Sequence, residues 1–270
     1  MTDGAAVVTV IIPAREAHGT IGRALASLTA QTFDRWQAVV VSDDGGDYPA
    51  PDPRIACTTT GRVGAGPSAA RNTGLAASAT PLVAFLDADD RFHPERLARL
   101  VPPALAHGAA ADNVAVVRDR DGRPLSTLFA AAAPARLTAA AFLETSVPMF
   151  PVCRREIAGR WDEDLRFAED VAFNLRLLDR LGAIPLCPEA LYEYRVRPGS
   201  LSAAPESASV AEQAYAAMLG RLAADGFGLS DPDVRQLFGT RLEAKRALNR
   251  AFAASGAASF QEFLSQAARG

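Results

Sequence analysis

The segment Val83-Ala-Phe-Leu-Asp-Ala-Asp-Asp90 constrains this chain more than any other. An unbroken apolar run, preceded by Pro81 and followed by a burst of carboxylates, predicts a strand buried on both faces. Such a strand delivers Asp87, Asp89 and Asp90 together at its C-terminal edge, where open α/β sheets bind ligands. Carboxylates this close repel one another, so a cation or a cationic side chain is expected among them. Hard oxygen donors suit Mg2+ or Mn2+, which commonly bind through one or two carboxylates plus substrate phosphates. The competing expectation is a solvated acidic turn before a helix starting near Pro94, with Asp90 as its N-terminal cap.

The same pattern recurs through the first half. Val7–Ile12, ended by Pro13, and Trp36–Val41, closed by Ser-Asp-Asp-Gly-Gly (42–46), predict two further strands, and Ile55–Thr59 a third, shorter one. Helices are predicted from Ile21 to about Ala30, from Ser68 to about Ala77 and from Pro94 to about Ala106. This alternation predicts an α/β protein with a doubly wound, mostly parallel sheet. The second half is less regular. Val114–Val117 and Leu125–Phe129 flank a hairpin-like turn at 119–124, Thr138 predicts an N-cap for a helix ending near Glu144, and Met149–Cys153 predicts a strand. After Asp170, Val171, Leu175, Leu178 and Leu181 mark one helix face, which Gly182 ends. Beyond Pro205 the chain predicts a C-terminal appendage of two or three Ala-rich helices, broken at Gly226–Asp231.

Composition removes several function classes. The 270 residues are 49% hydrophobic with a net charge of −3, enough to bury a full core and without a polyanion-binding signal. No nucleic-acid partner is therefore expected. Arginine is abundant while Lys245 is the only lysine, a composition that fits a GC-rich genome. Cys57, Cys153 and Cys187 form no CxxC and no disulfide framework, which suggests a reducing cytoplasm. His18, His93 and His107 lack zinc-site spacing and are expected at the surface. No basic leader precedes Val7, and the Ala-rich stretch near 128–143 is interrupted by Pro134 and Arg136 before it reaches membrane-spanning length. Gly64-x-Gly66 lacks the full GxGxxG pattern and is not read as a dinucleotide loop.

Taken in order, the motifs resemble a family 2 glycosyltransferase of the GT-A fold, across roughly residues 7–202. They are Val-Thr-Val-Ile-Ile-Pro (8–13), Ala-Gln-Thr-Phe (30–33), Val-Val-Ser-Asp-Asp-Gly (40–45), Gly-Pro-Ser-Ala-Ala-Arg-Asn-Thr-Gly-Leu (66–75) and Phe-Leu-Asp-Ala-Asp-Asp (85–90). Trp-Asp-Glu-Asp-Leu (161–165), Glu-Asp (169–170) and Tyr-Arg-x-Arg-Pro-Gly-Ser-Leu-Ser (194–202) follow. The resemblance implies a domain over 1–204, with a nucleotide-binding half to about 110 and an acceptor half from about 111, followed by a helical extension over 205–270.

It further implies inverting transfer of a sugar from a nucleoside diphosphate donor, with UDP favoured, to a glycan or lipid-linked acceptor. Pro13, Arg15, Glu16 and Asp44 would form the nucleoside pocket, and Arg71 would lie over the base or near the diphosphate. Asp87 and Ala88 would meet the ribose or sugar, and Arg195 and Arg197 the donor phosphates. Asp89 with Asp87, supported by Asp90, would hold Mn2+ or Mg2+. Asp170 would be the general base, with Glu169 as runner-up, and Trp161 and Asp162 would lie beside the acceptor, Trp161 being otherwise part of the core. By analogy with surface-polysaccharide enzymes, peripheral association with the inner membrane face is expected, and the helical tail is expected to be able to mediate self-association.

Two positions depart from the pattern. Arg197 stands where the family usually carries His, and Arg15-Glu16 where it carries an aromatic-Asn pair. Arginine cannot ligate a metal but can hold phosphate bidentately. Three competing functions remain open. A dehalogenase-type phosphatase would want its Asp-x-Asp near the N-terminus and a downstream lysine, for which Lys245 is poorly sited. A nucleotidyltransferase would want a Gly-rich, basic signature after the first strand. A degenerate GT-A domain would keep only binding.

Overall fold

The computed structural model describes residues 4–129, 133–197 and 207–255. Its elements begin β1 (Val8–Ala14), α1 (Ile21–Thr29), β2 (Trp36–Ser42), β3 (Ile55–Thr59), α2 (Pro67–Ala77), β4 (Leu82–Phe85), β5 (Arg91–Phe92) and α3 (Arg96–His107). Then come β6 (Ala109–Arg118), β7 (Pro124–Thr127), β8 (Arg136–Thr138), α4 (Ala139–Leu143), β9 (Val152–Arg154), α5 (Arg155–Ala158), α6 (Glu169–Leu181) and β10 (Ala183–Val196). One sheet holds the strands in the order β3-β2-β1-β4-β9-β6-β10-β5, with β7 beside β6 and β8 beside β10. β3, β2, β1 and β4 are mutually parallel, and β10 is parallel to β6. β9 lies antiparallel between β4 and β6, and β5 antiparallel against β10. The mixed α/β architecture with a mostly parallel central sheet is the one expected.

Burial explains why the apolar runs become central strands. Every side chain from Leu82 to Leu86 is fully buried, as are Val8, Val10, Ile11 and Ile12 beside them. The first polar residues after β4 are therefore forced out at its C-terminal end. β1 runs one residue past Pro13, which the sequence suggested would stop it. The carbonyl of Ile11 accepts from Leu86 N–H and that of Ala14 from Asp43 N–H, so backbone groups alternate between the two neighbours. By that alternation Pro13 faces the β4 side, beyond the last β1–β4 pair at Ile11–Phe85, and its missing N–H costs no ladder bond.

The hairpin of β6 and β7 and the Thr138 cap of α4 form as expected, the Thr138 hydroxyl accepting from Ala141 N–H at 3.2 Å. β10 was not expected. Pro185 and Pro188 interrupt any alternation, and the register against β6 slips between Cys187 and Tyr192, so its strand signal is broken up. It is nevertheless the strand that carries Tyr192 and Arg195.

The chain forms two compact units, Met1–Asp164 with Glu169–Val196, and Leu165–Ala168 with Arg197–Gly270. The expected boundary at 204–205 lies outside the described residues, as does the Pro-Gly-Ser-Leu-Ser part of the last motif. The second unit is built on α7 (Ser207–Asp225), a short 3-10 turn and α8 (Pro232–Ser255). α8 packs back along α7: Glu212, early in α7, accepts from Arg246 and Arg250, late in α8, and Phe227 packs on Phe238 at 5.3 Å. No helix of the described residues is long and apolar enough to cross a membrane.

Gly74 fixes how closely α2 approaches β1. A Cβ there would come within 2.3 Å of Ile11 Cγ2, on a buried strand that has no room to move. Overpacking of this kind typically costs about 1–3 kcal/mol. Gly74→Ala is therefore expected to lower the denaturant midpoint by a corresponding amount. Combining it with Ile11→Ala, which removes the obstructing atoms, is expected to cost less than the sum of the two single variants. Additive losses would mean that the Ile11 contact does not set the helix position.

Candidate active site

The cation expected among the β4 carboxylates is Arg71. It rises from the second turn of α2, whose start is set by Pro67 at the first helical position after Gly66, and its side chain is only 3% exposed. Nη2 donates to Asp87 Oδ1 at 2.7 Å and Nη1 to Glu169 Oε1 at 3.1 Å. The guanidinium lies over the rings of Trp161, 4.4 Å from its centroid, and Phe150, at 5.2 Å. A buried guanidinium without partners would be very costly; two carboxylates and an aromatic floor stabilise it. Arg71 thereby links the end of β4 to the first turn of α6, where Glu169 lies 98 residues beyond Arg71 itself.

The carboxylates after β4 have different surroundings. Asp90 is buried and turned inward, Oδ2 accepting from the Tyr192 hydroxyl at 2.7 Å and Oδ1 from Arg195 N–H at 2.8 Å. Burial, followed by the charges of Asp87 and Asp89, pushes its carboxyl well above the usual range. It does not cap α3, whose cap position is Glu95 with no side-chain bond, so the acidic-turn alternative fails. Tyr192 also accepts from Asp87 N–H at 3.3 Å, holding both ends of the Asp87–Asp90 turn. Below it lies a buried pair, Arg96 to Asp112, bidentate at 2.8 and 2.9 Å, whose guanidinium also donates to the Phe150 carbonyl and stacks on Phe92. Sequence reasoning missed both Tyr192 and this pair, because a Tyr in a broken strand and an Arg at a helix start carry no motif.

Arg195 was expected on the donor phosphates; the structure commits its guanidinium elsewhere. It donates to the Asp119 carboxylate at 3.1 Å, to the Asp119 carbonyl at 2.7 Å and to Glu193, while Arg23 shares Asp119. What it gives the site is its backbone N–H on Asp90. Arg197 is exposed and is the first residue after β10 in the second unit.

At the start of α6, Glu169 pairs with Arg71 and Asp170 is partly buried beside it. Burial and then the Glu169 charge push the Asp170 carboxyl up to about 7, against the opposing pull of Arg71 and its bond from Val171 N–H. Ala168, just before the helix, has φ of 58°, a conformation that costs a non-glycine residue energy and redirects the chain at this point. The expected acceptor-side role of Trp161 is corrected. Its ring is 2% exposed, stacked on Phe173 at 4.3 Å with Arg71 over it, so no face remains for a sugar. Asn72 locks it there, donating to the Trp161 carbonyl and accepting from its N–H, both at 2.9 Å. The adjacent Arg71 and Asn72 thus hold the carboxylates and the ring beneath them. Asp162 is tied to Arg176 at 2.8 Å.

On the other side of Arg71's helix, the loop after β2 makes a second cluster. Asp43, which drew no role from the sequence, is buried and accepts from Ala65 and Gly66 N–H groups and the Thr60 hydroxyl, anchoring the lead into α2. Asp44 accepts four donors: Glu16 N–H at 2.6 Å, Tyr48 hydroxyl at 2.7 Å, Gly46 N–H at 2.9 Å and Ser42 hydroxyl at 3.0 Å. The Tyr48 bond, followed by that from Glu16, holds its carboxyl far below the usual range. Pro13 is half-buried at the end of β1, Arg15 and Glu16 are exposed and 3.8 Å apart, and Ala88 is buried. Glu16 has φ of 51°, so the turn that aims its N–H at Asp44 is strained.

Among the described residues no group of three or more His, Cys, Asp or Glu side chains is arranged to hold a metal by itself. Asp87 and Asp89, hard oxygen donors at one sheet edge, fit the lesser demand of a cation that takes one or two carboxylates and completes its shell with substrate phosphates.

Residues 9–131 match the family model described as Glycosyl transferase family 2. Succinoglycan biosynthesis protein ExoO of Rhizobium meliloti is 37% identical over 219 residues, 72% of this chain and 62% of that protein. This chain therefore spans about three fifths of that relative's length. A UDP-Glc:alpha-D-GlcNAc-diphosphoundecaprenol beta-1,3-glucosyltransferase, WfgD of Escherichia coli, is 33% identical over 90 residues, 31% of this chain and 35% of that one. In fold, the chain is similar to S. aureus TarS solved in complex with UDP-GlcNAc, with a TM-score of 0.62, 19% identity, and 90% and 72% of the two chains covered.

Replacing Arg71 by Met is expected to leave Asp87 and Glu169 without a counter-charge over an aromatic floor. Removing one partner of a fully buried ion pair costs about 3–5 kcal/mol; here the carboxylates keep some solvent contact, so the lower end or less is expected in chemical denaturation. A stability unchanged from wild type would mean that the bridge does not hold the two elements together.

Proposed function

The chain belongs to glycosyltransferase family 2, and from that premise we propose that it transfers a sugar from a UDP-sugar to a hydroxyl of a glycan or lipid-linked acceptor, with inversion. The observation that carries this reading is the Arg71 bridge, which gathers the donor-side carboxylate Asp87 and the acid pair Glu169-Asp170 around one side chain. A donor site and a candidate base within one cluster are what direct displacement at an anomeric carbon requires.

In this reading the acceptor hydroxyl is oriented at the α6 terminus, where Asp170 takes its proton as the new C–O bond forms and the bond to UDP breaks. A single in-line displacement reverses the anomeric configuration. Glu169, occupied by Arg71, positions Asp170 and the acceptor. Asp44 and the Pro13–Glu16 turn receive the nucleoside. Asp89 and Asp87 would hold Mn2+ or Mg2+, which supplies positive charge for the departing diphosphate. The UDP donor is supported by what WfgD is named for and by the ligand bound to TarS, and the lipid-linked acceptor by the name of WfgD.

Asp170 must be ionised to accept a proton, and its ordinary ionisation has been moved up to about 7. kcat/KM is therefore expected to rise about tenfold per pH unit below that point and to level off above it. Asp170→Asn is expected to abolish this limb and lower kcat by at least about 10²-fold, with UDP affinity within about threefold of wild type. Near-normal kcat in that variant, or a product that retains the donor's anomeric configuration by proton NMR, would remove Asp170 from this role. Donor turnover is further expected to stop in excess EDTA, and Asp89→Ala to remove both the activity and its metal dependence. Undiminished turnover in EDTA would count against the metal assignment.

A further inference from the structure

Asp44 presents an accounting problem for any nucleobase. An ionised carboxylate offers about four acceptor positions, and Glu16, Gly46, Ser42 and Tyr48 already fill four. A base N–H could reach Asp44 only by replacing one of the two hydroxyls, an exchange of one hydrogen bond for another with little net gain. Most of the affinity for a base at this loop must then come from contact with its flat face. No residue from Pro13 to Glu16 offers an aromatic ring, and Tyr48 is itself buried.

His18 does offer one. Its imidazole is exposed yet stacked on Tyr48, ring centroids 4.7 Å apart and planes 25° apart. Tyr48 grips the same turn a second way, its hydroxyl accepting from Ala17 N–H at 3.2 Å while donating to Asp44. Gly46 leaves room for the ring: a Cβ there would come within 3.0 Å of both His18 Cε1 and Asp44 Oδ1. The ring is therefore a held, solvent-facing surface beside Asp44.

We propose that His18, backed by Tyr48, is the stacking surface for the donor's nucleobase, an affinity-determining residue of this enzyme. The proposal rests on the nucleoside-pocket reading given above. Aromatic stacking tolerates any base, so His18 would contribute affinity for the nucleoside while the loop around Asp44 selects its edge.

Calorimetry in Mn2+-containing buffer with UDP, and with inorganic pyrophosphate as a probe lacking the base, tests this on the wild type, His18→Ala and His18→Phe. His18→Ala is expected to weaken UDP binding at least fivefold, the lower end of what base–aromatic stacking contributes, and to leave pyrophosphate binding within twofold. His18→Phe, which keeps a flat ring but no charge or hydrogen bond, is expected to restore UDP affinity to within about twofold of wild type. UDP affinity unchanged in His18→Ala, or equal losses in Ala and Phe, would overturn the stacking role while leaving the nucleoside pocket intact. A wild-type chain that binds pyrophosphate but gains nothing from the uridine would overturn the pocket reading, and this role with it.

Discussion

The salt-bridged guanidinium of Arg71 is the interaction on which the rest of the site depends. A sheet edge concentrates carboxylates because the strand before them is too apolar to leave the core. Left alone they would repel one another. Arg71 takes Asp87 and Glu169 at once, over a floor made by Trp161 and Phe150, and it can do so only because α2 sits close against β1 at Gly74. Packing in the core thus sets the position of a charge in the site.

The carboxylates of the two clusters diverge because their surroundings do. Asp90 is enclosed and serves as a bracket between Tyr192 and the backbone of β10, whereas Asp87 keeps an oxygen beyond its bond to Arg71. Asp170 is partly buried beside the charge of Glu169, and burial and that charge together raise it to about 7, the range in which a general base works best. Asp44, surrounded by donors, moves the other way. Residues of one chemical type thereby divide into the proposed base, a support and a loop lock.

Much of this was legible in the sequence. The apolar runs before Pro13, Ser42 and Asp87 announced the parallel half of the sheet, since a strand buried on both faces leaves an uninterrupted hydrophobic signature. The demand for a cation near Asp87 could be read from charge repulsion, and Arg71 from its motif. What could not be read was the partner of each group. Trp161 gives no sign in sequence that Phe173 covers one face and Arg71 the other. Arg195 gives no sign that Asp119 and Glu193 consume its donors. β10 hides behind two prolines and a register slip, and with it Tyr192. Local pattern reports the backbone; the long-range pairings that assign roles are set by the fold.

If one guanidinium organises the base and the donor edge as a unit, the two must fail together. A double-mutant cycle in kcat with Arg71→Gln, Asp170→Asn and the combined variant measures this directly. The expected result is that the double variant is no worse than the poorer single one within about threefold, as for residues that act as a unit. Losses that multiply would show that Arg71 and Asp170 act independently and would contradict the account.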